Sequence, residues 1–232
     1  ARLVLHYHMQ REPLRQVVQQ LGVRGVALPA DLRDEAQVEQ LFAAALRKFP
    51  RIDAVVVNAG VWHAEAVPLH EMSLEQWRAT CEADLTSAFL TCRAFLRHLA
   101  GVPHESAAIV LVASTAALFG EADHADYAAA KAGMAYGLTL SLKNEIVRLV
   151  PRGRVNCVCP GWTRTPMAVA GLDPTVLHRV QATMALEKIA EPRDVAAAIV
   201  FLTSDRLAGH ITGAILPIAG GMEGRLLHPE RI

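Results

Sequence analysis

Short apolar, β-branched runs alternate with longer amphipathic runs along this chain, and that alternation restricts the fold more than any other feature. Residues 2–8, 25–28, 54–57, 109–113, 154–159 and 214–218 read as strands, and 13–21, 35–49, 74–99, 125–149 and 192–202 read as helices. In 35–49 the apolar residues Val38, Leu41, Phe42, Ala45 and Leu46 recur at helical spacing. Ser73 precedes 74–99 as a cap, with Glu75 and Gln76 in the first turn. Pro151 stops the helix 125–149, Pro160-Gly161 stops the strand 154–159, and Gly220-Gly221 closes the last strand. The strands 54–57 and 109–113 carry no polar residue. Strands of that kind are buried on both faces, as in a parallel sheet covered by helices. Strict β/α alternation therefore predicts a doubly wound, parallel α/β architecture in three layers. No repeat and no Gly-, Ser- or Pro-rich linker divides the 232 residues, so 1–232 is expected to form a single domain. The stretch from 161 to about 172 is irregular, and 161–190 is expected to serve as a substrate lid.

Composition narrows the function classes. Apolar residues make up 52 %, enough for a full core, and the 23 basic and 23 acidic residues cancel. A neutral chain without a Lys/Arg run has no electrostatic footprint for nucleic acid or an anionic membrane. No stretch is long and apolar enough to span a bilayer, and Ala1-Arg2-Leu3-Val4 does not open like a signal peptide. Cys81, Cys92, Cys157 and Cys159 match no zinc spacing and read as reduced core thiols of a cytoplasmic protein. His6 and His8 share a strand face, but no carboxylate or third His stands at ligand spacing, so no metal is expected.

Tyr127 and Lys131 are four residues apart in a helical run, on one face. An ammonium beside a phenol favours the phenolate and lowers its pKa from about 10, which suits general acid/base work. Ser114 lies just past the end of the apolar strand 109–113, where ligands of open α/β sheets bind. Asn58-Ala59-Gly60 follows the strand 54–57, and small residues there let a flat ligand approach the backbone. Pro160 and Gly161, with Thr163 and Thr165 beyond them, stand at a third strand end and offer donors over the same crevice. Trp62 and His63 are placed to border its mouth, His124 either touches substrate or lies at the surface, and Trp162 and Met167 on the lid would make the pocket apolar.

With these elements in order, the sequence resembles the short-chain dehydrogenase/reductase family, whose fold is Rossmann-like. The matching stretches are Asp31-Leu32, Asn58-Ala59-Gly60, Ser114, Tyr127 to Lys131, Arg154-Val155-Asn156, Pro160-Gly161 with Thr163 and Thr165, and Ile211-Thr212-Gly213 with Gly220-Gly221. The tail is most similar to the 3-oxoacyl-acyl-carrier-protein reductase branch. The resemblance implies hydride transfer between a nicotinamide dinucleotide and a carbonyl or secondary alcohol. Tyr127 would be the acid/base, Lys131 its partner and a contact of the nicotinamide ribose, and Ser114 the group orienting the carbonyl. Asp31 and Leu32 would flank the adenine, and Asn58, Ala59 and Gly60 would line the adenosine side. Pro160, Gly161, Thr163 and Thr165 would meet the nicotinamide end. It also implies a homodimer or homotetramer built on the two long helices and the last strand. The apolar residues on 74–99 and 125–149 exceed what one sheet face covers.

Two departures stand out. The glycine-rich turn belongs one strand and one helix before 2–8, which points to a natural chain that continues ahead of Ala1. The alternative is a protein without its main phosphate grip. The missing strand would lie mid-sheet and leave two neighbours without a ladder partner. Asp84 stands where the family has an asparagine holding a water linked to the lysine. An aspartate accepts from that water but cannot donate, and it adds negative charge near Lys131, so a substitute of reduced efficiency is expected. These departures keep a second class open, a catalytically silent member acting as a scaffold or binding subunit. For the cofactor, NADP(H) is expected over NAD(H). Tyr7 and His8 end the strand 2–8 where an NAD site needs a carboxylate, and Arg11 follows as a forked donor for a phosphate.

Overall fold

The computed structural model describes residues 1–165, 168, 178 and 180–222. Among the described residues, six strands form two parallel pieces. β1 (Leu3–Tyr7) pairs with β2 (Gly25–Pro29), and β3 (Ala54–Val57), β4 (Ser106–Val112), β5 (Arg152–Pro160) and β6 (Ile215–Ile218) form a four-stranded sheet in that order. All ladders are parallel, so the carboxyl ends of β3, β4 and β5 open on one edge.

Side-chain alternation along β4 and β5 builds two cores. Ile109, Leu111, Val155, Cys157 and Cys159 face one cluster with Phe95, Met134 and Ile146. Val110, Val112 and Val158 face the other, with Val195 and Leu202. The covering helices are α4 (Ser87–Gly101) and α7 (Thr139–Glu145) on the first face, and α8 (Pro192–Thr203) on the second. Helices therefore flank a parallel sheet on both faces, as the alternation predicts. All four cysteines are free thiols, and Cys92, Cys157 and Cys159 are buried.

β3 departs from the sequence expectation. Its run of apolar residues predicts burial on both faces, yet Val56 is 42 % exposed. Among the described residues β1 pairs only with β2, and β3 only with β4, so each has one open ladder edge. Helix α2 (Glu35–Lys48) joins the two pieces by packing on β2 and α4. Glu35–Arg93 at 2.6 Å and Glu39–Arg97 at 2.7 Å bind α2 to α4. Asp34 starts α2 by accepting from the amides of Ala36 and Gln37.

The long helices are also not uniform. The run from 74 comprises α3 (Leu74–Cys81), capped by Ser73, a π turn (Glu82–Thr86), and α4. The run from 125 comprises α6 (Ala125–Ala132), a second π turn (Gly133–Leu138), α7 and a 3₁₀ turn (Ile146–Arg148). The Thr139 hydroxyl and amide both donate to the Met134 carbonyl, five residues back, which holds the second π turn. Further described helices are α1 (Glu12–Leu21), short α5 (Ala116–Phe119) and α9 (Asp205–Ala208).

Arg154 and Asn156 act structurally. The buried Arg154 guanidinium donates to the carbonyls of Leu202 at 2.7 Å, Ala208 at 3.1 Å and Thr203 at 3.2 Å, closing the α8–α9 junction. Asn156 donates to Ile211 O at 2.9 Å and accepts from Ala214 N at 3.0 Å, fixing the approach to β6. Each buried acceptor left alone costs about 1–3 kcal/mol. Arg154→Met is therefore expected to lower the unfolding free energy by at least about 2 kcal/mol, read by urea denaturation. A loss within a few tenths would show that water satisfies these carbonyls.

Candidate active site

Three strand ends and one helix build the site. Ser114 sits just past β4, and its Oγ accepts from Ala116 N at 3.1 Å, which fixes the hydroxyl at the start of α5. Pro160 ends β5 and accepts from Thr115 N at 2.9 Å, tying that loop to the next strand end. Gly161 follows in a tight place, since a Cβ there would stand 3.2 Å from Ala219, closer than ordinary contact. Ser114, Tyr127, Gly161, Thr163 and Thr165 line one cavity, together with Trp62, Thr115, Glu121, Trp162 and Ala168. The sequence grouping of Ser114, Tyr127, Gly161, Thr163 and Thr165 is thus a spatial one. The two threonine hydroxyls are engaged locally: Thr163 donates to Gly161 O at 3.0 Å, and Thr165 accepts from Ala168 N at 3.2 Å.

Lys131 lies behind Tyr127, 4 % exposed, with Nζ 5.5 Å from the phenol ring centroid. The π turn after Cys81 carries the fully buried Asp84 to it, Oδ2 lying 3.3 Å from Nζ. The other Asp84 oxygen accepts from Val61 N at 2.7 Å. Gly60 is pressed against this pair: a Cβ would fall 2.8 Å from Lys131 Nζ and 2.9 Å from Asp84 Oδ1. Gly60 is therefore dictated by close approach, with the end of β3 lying directly on the ion pair.

The electrostatics correct the sequence reading of the phenol. Lys131 is expected to lower the Tyr127 pKa, yet that pKa is pushed up to about 12. Burial is the main cause; the Ser114 hydroxyl opposes it, and the Asp84 and Glu121 carboxylates reinforce it. Lys131 spends its charge on Asp84 instead. Burial likewise raises the Asp84 carboxyl, against the pull of Lys131 and the Val61 amide. The Tyr127 phenol thus keeps its proton at neutral pH.

Asn58 and Ala59 follow β3 and, like Asp31, Leu32 and Arg11 on the β1–β2 side, do not line this cavity. Arg33 holds the Asp31 carboxyl well below the usual carboxylate range by hydrogen bonding, with Nη2 2.6 Å from Oδ2. His8 approaches the same carboxylate at 3.7 Å. Leu32 is half-buried beside it, and Arg11 is exposed at the N-cap of α1. His6 is held by Ala30 O at 2.8 Å. Arg33 went unmarked in the sequence; its place two residues after Asp31 was the available signal. Glu121 was also missed, and no motif marks it. Met167, and much of 161–190, lie outside the described residues. Among the described residues no helix is long and apolar enough to cross a membrane.

A family model described as enoyl-(acyl carrier protein) reductase matches residues 1–223. The cis-4-hydroxycyclohexanecarboxylate dehydrogenase of Sinomonas cyclohexanicum is 36 % identical over 210 residues, 90 % of this chain and 81 % of that one. The 3-oxoacyl-[acyl-carrier-protein] reductase of Synechocystis is 32 % identical over 225 residues, 95 % of this chain and 86 % of that one. A solved 7α-hydroxysteroid dehydrogenase, complexed with NADH and a 7-oxo bile acid, superposes with a TM-score of 0.87 at 24 % identity. That superposition covers 97 % of this chain and 86 % of the other. The chain belongs to the short-chain dehydrogenase/reductase family.

Proposed function

We propose that this chain is a nicotinamide-dinucleotide-dependent oxidoreductase interconverting a carbonyl and a secondary alcohol, with Tyr127 as acid/base. The observation that carries the reading is the cavity in which the Ser114 hydroxyl and the Tyr127 phenol stand together at a strand end, with Lys131 buried behind. The parallel strand ends form a crevice of the kind that takes a dinucleotide, and the tight seating of Gly60 and Gly161 brings backbone close to it. Asp31, Leu32, Asn58, Ala59, Gly60, Pro160, Gly161, Thr163 and Thr165 would hold the group, with Lys131 beneath. Bound there, the dinucleotide would supply or accept the hydride. Ser114 orients the substrate oxygen, and Tyr127 delivers its proton to that oxygen or takes it back. Ketone-dependent consumption of the reduced dinucleotide tests this. Dinucleotide binding without turnover of any ketone would favour the silent scaffold reading, to which the neutralisation of Lys131 by Asp84 lends weight.

The cofactor proposal is NADP(H) in preference to NAD(H). Tyr7 ends β1 without a carboxylate, while Arg11 is exposed at the start of α1 and Arg33 brings a second guanidinium to the β2 end. NADPH is expected to bind more tightly than NADH, and Arg11→Ala to narrow the gap, as measured by dissociation constants. NADH binding equally or more tightly, unmoved by Arg11→Ala, would refute this.

Self-association is also proposed. Phe89 on α4 and Tyr136, Leu140, Val147 and Leu149 on the run from 133 are exposed, as is Leu216 on β6. Exposed apolar residues concentrated in this way mark interaction surfaces. Light scattering at micromolar concentration is expected to show a dimer or tetramer, and a monomer alone would contradict it.

A further inference from the structure

One wall of the cavity is built differently from the rest. The Trp62 ring stacks on His124 at 5.3 Å and 16°, and meets Trp162 edge-on at 5.9 Å and 76°. His124 is buried, with Nε2 2.9 Å from the His63 carbonyl oxygen, so the stack is held from beneath. The Trp62 indole N–H donates to Glu121 Oε1 at 3.1 Å. That bond satisfies the polar edge of Trp62 and leaves ring surface for apolar contact.

Glu121 is the one charged residue among the described residues lining the cavity. The nearby lysine and arginine are turned elsewhere, Lys131 facing Asp84 at 3.3 Å and Arg164 Nε lying 3.1 Å from Glu191, while the His124 ring stands beside Glu121 with Nδ1 3.8 Å from Oε1. A carboxylate or phosphate on a substrate would meet a like charge in a half-enclosed site with no counter-charge from that lysine or arginine. An uncharged ring would meet indole surface.

We infer that this site selects uncharged cyclic ketones and secondary alcohols, and that Glu121 excludes substrates carrying a carboxylate or phosphate on the ring. The inference rests on the proposed oxidoreductase reading for its chemistry. In the reduction, a C–H bond forms at the carbonyl carbon with hydride from the reduced dinucleotide, and the oxygen takes the Tyr127 proton.

The test compares 4-oxocyclohexanecarboxamide with 4-oxocyclohexanecarboxylate, two probes of nearly equal size that differ in charge. With the wild-type chain, kcat/KM is expected to be at least about tenfold higher for the amide, about 1.4 kcal/mol of discrimination. Glu121→Gln keeps an acceptor for the Trp62 N–H and removes the charge, so the ratio should fall toward unity by a gain on the carboxylate. Binding is read separately by quenching of tryptophan fluorescence. If neither probe is turned over but the amide still binds more tightly, the selection stands and the oxidoreductase reading falls. Equal or tighter binding of the carboxylate, or a wild-type kcat/KM favouring it, overturns the inference whatever the variant does. A ratio unchanged in a folded Glu121→Gln removes Glu121 from the selection.

Discussion

Tyr127→Phe is expected to lower the turnover of a ketone by about 10²–10⁴-fold, the usual contribution of a positioned acid/base group. The ring stays, so packing in the cavity and dinucleotide binding should be nearly unchanged. What is lost is the phenol's proton: its pKa is pushed up to about 12, chiefly by burial, and so it stays protonated through the neutral range. Steady-state rates with wild type and variant at matched dinucleotide occupancy give the comparison. A Phe variant keeping more than about a tenth of the wild-type rate would remove Tyr127 from the mechanism.

Lys131→Met should act on stability as well as on rate. It strips the counter-charge from Asp84, whose side chain is fully buried. Breaking a buried ion pair from one side costs about 3–5 kcal/mol, because the remaining charge is left in a medium that solvates it poorly. The loss should depend on pH in a definite direction. In the folded chain the Asp84 carboxyl holds its proton more tightly than the ordinary value of 3.8, because of burial. Below that value both folded and unfolded chains are protonated there, and Asp84 exacts no cost. As pH rises from there through the raised folded value, the unfolded chain ionises freely and stability falls. Removing Lys131 raises the folded value further and so enlarges the effect. Urea denaturation across acid to neutral pH should show the variant approaching wild type in acid. The double variant Lys131→Met, Asp84→Asn should recover most of the neutral-pH loss. A single variant as stable as wild type at neutral pH would mean that Asp84 is uncharged there.

Much of this was legible in the sequence because the relevant signals were local. The doubly flanked sheet followed from β4, whose residues 109–112 are apolar at consecutive positions and do face two cores. Ser114, Tyr127, Gly161, Thr163 and Thr165 could be grouped because each sits at a strand end or on one helix face. The π turns at Glu82–Thr86 and Gly133–Leu138 were not legible, since one widened turn barely alters an apolar stripe. Exposure of Val56 was missed because apolar content does not report which ladder edge is filled. The phenol was misjudged for a related reason. Spacing places Lys131 beside Tyr127, but it does not report how deeply the phenol is buried, and burial is what raises it. The bond from Trp62 to Glu121 joins two loops distant in sequence, and no motif announces it.

The central claim is that the chain moves a hydride, rather than only binding a dinucleotide, and label transfer tests it most directly. Reduced dinucleotide carrying deuterium at the hydride position is incubated with a cyclic ketone, and the alcohol is examined by mass spectrometry beside a Tyr127→Phe control. One deuterium is expected on the carbinol carbon of the product for each dinucleotide oxidised, and almost no labelled alcohol from the control. Dinucleotide binding with no labelled alcohol from the wild-type chain would contradict that claim and leave the chain a silent member of its family.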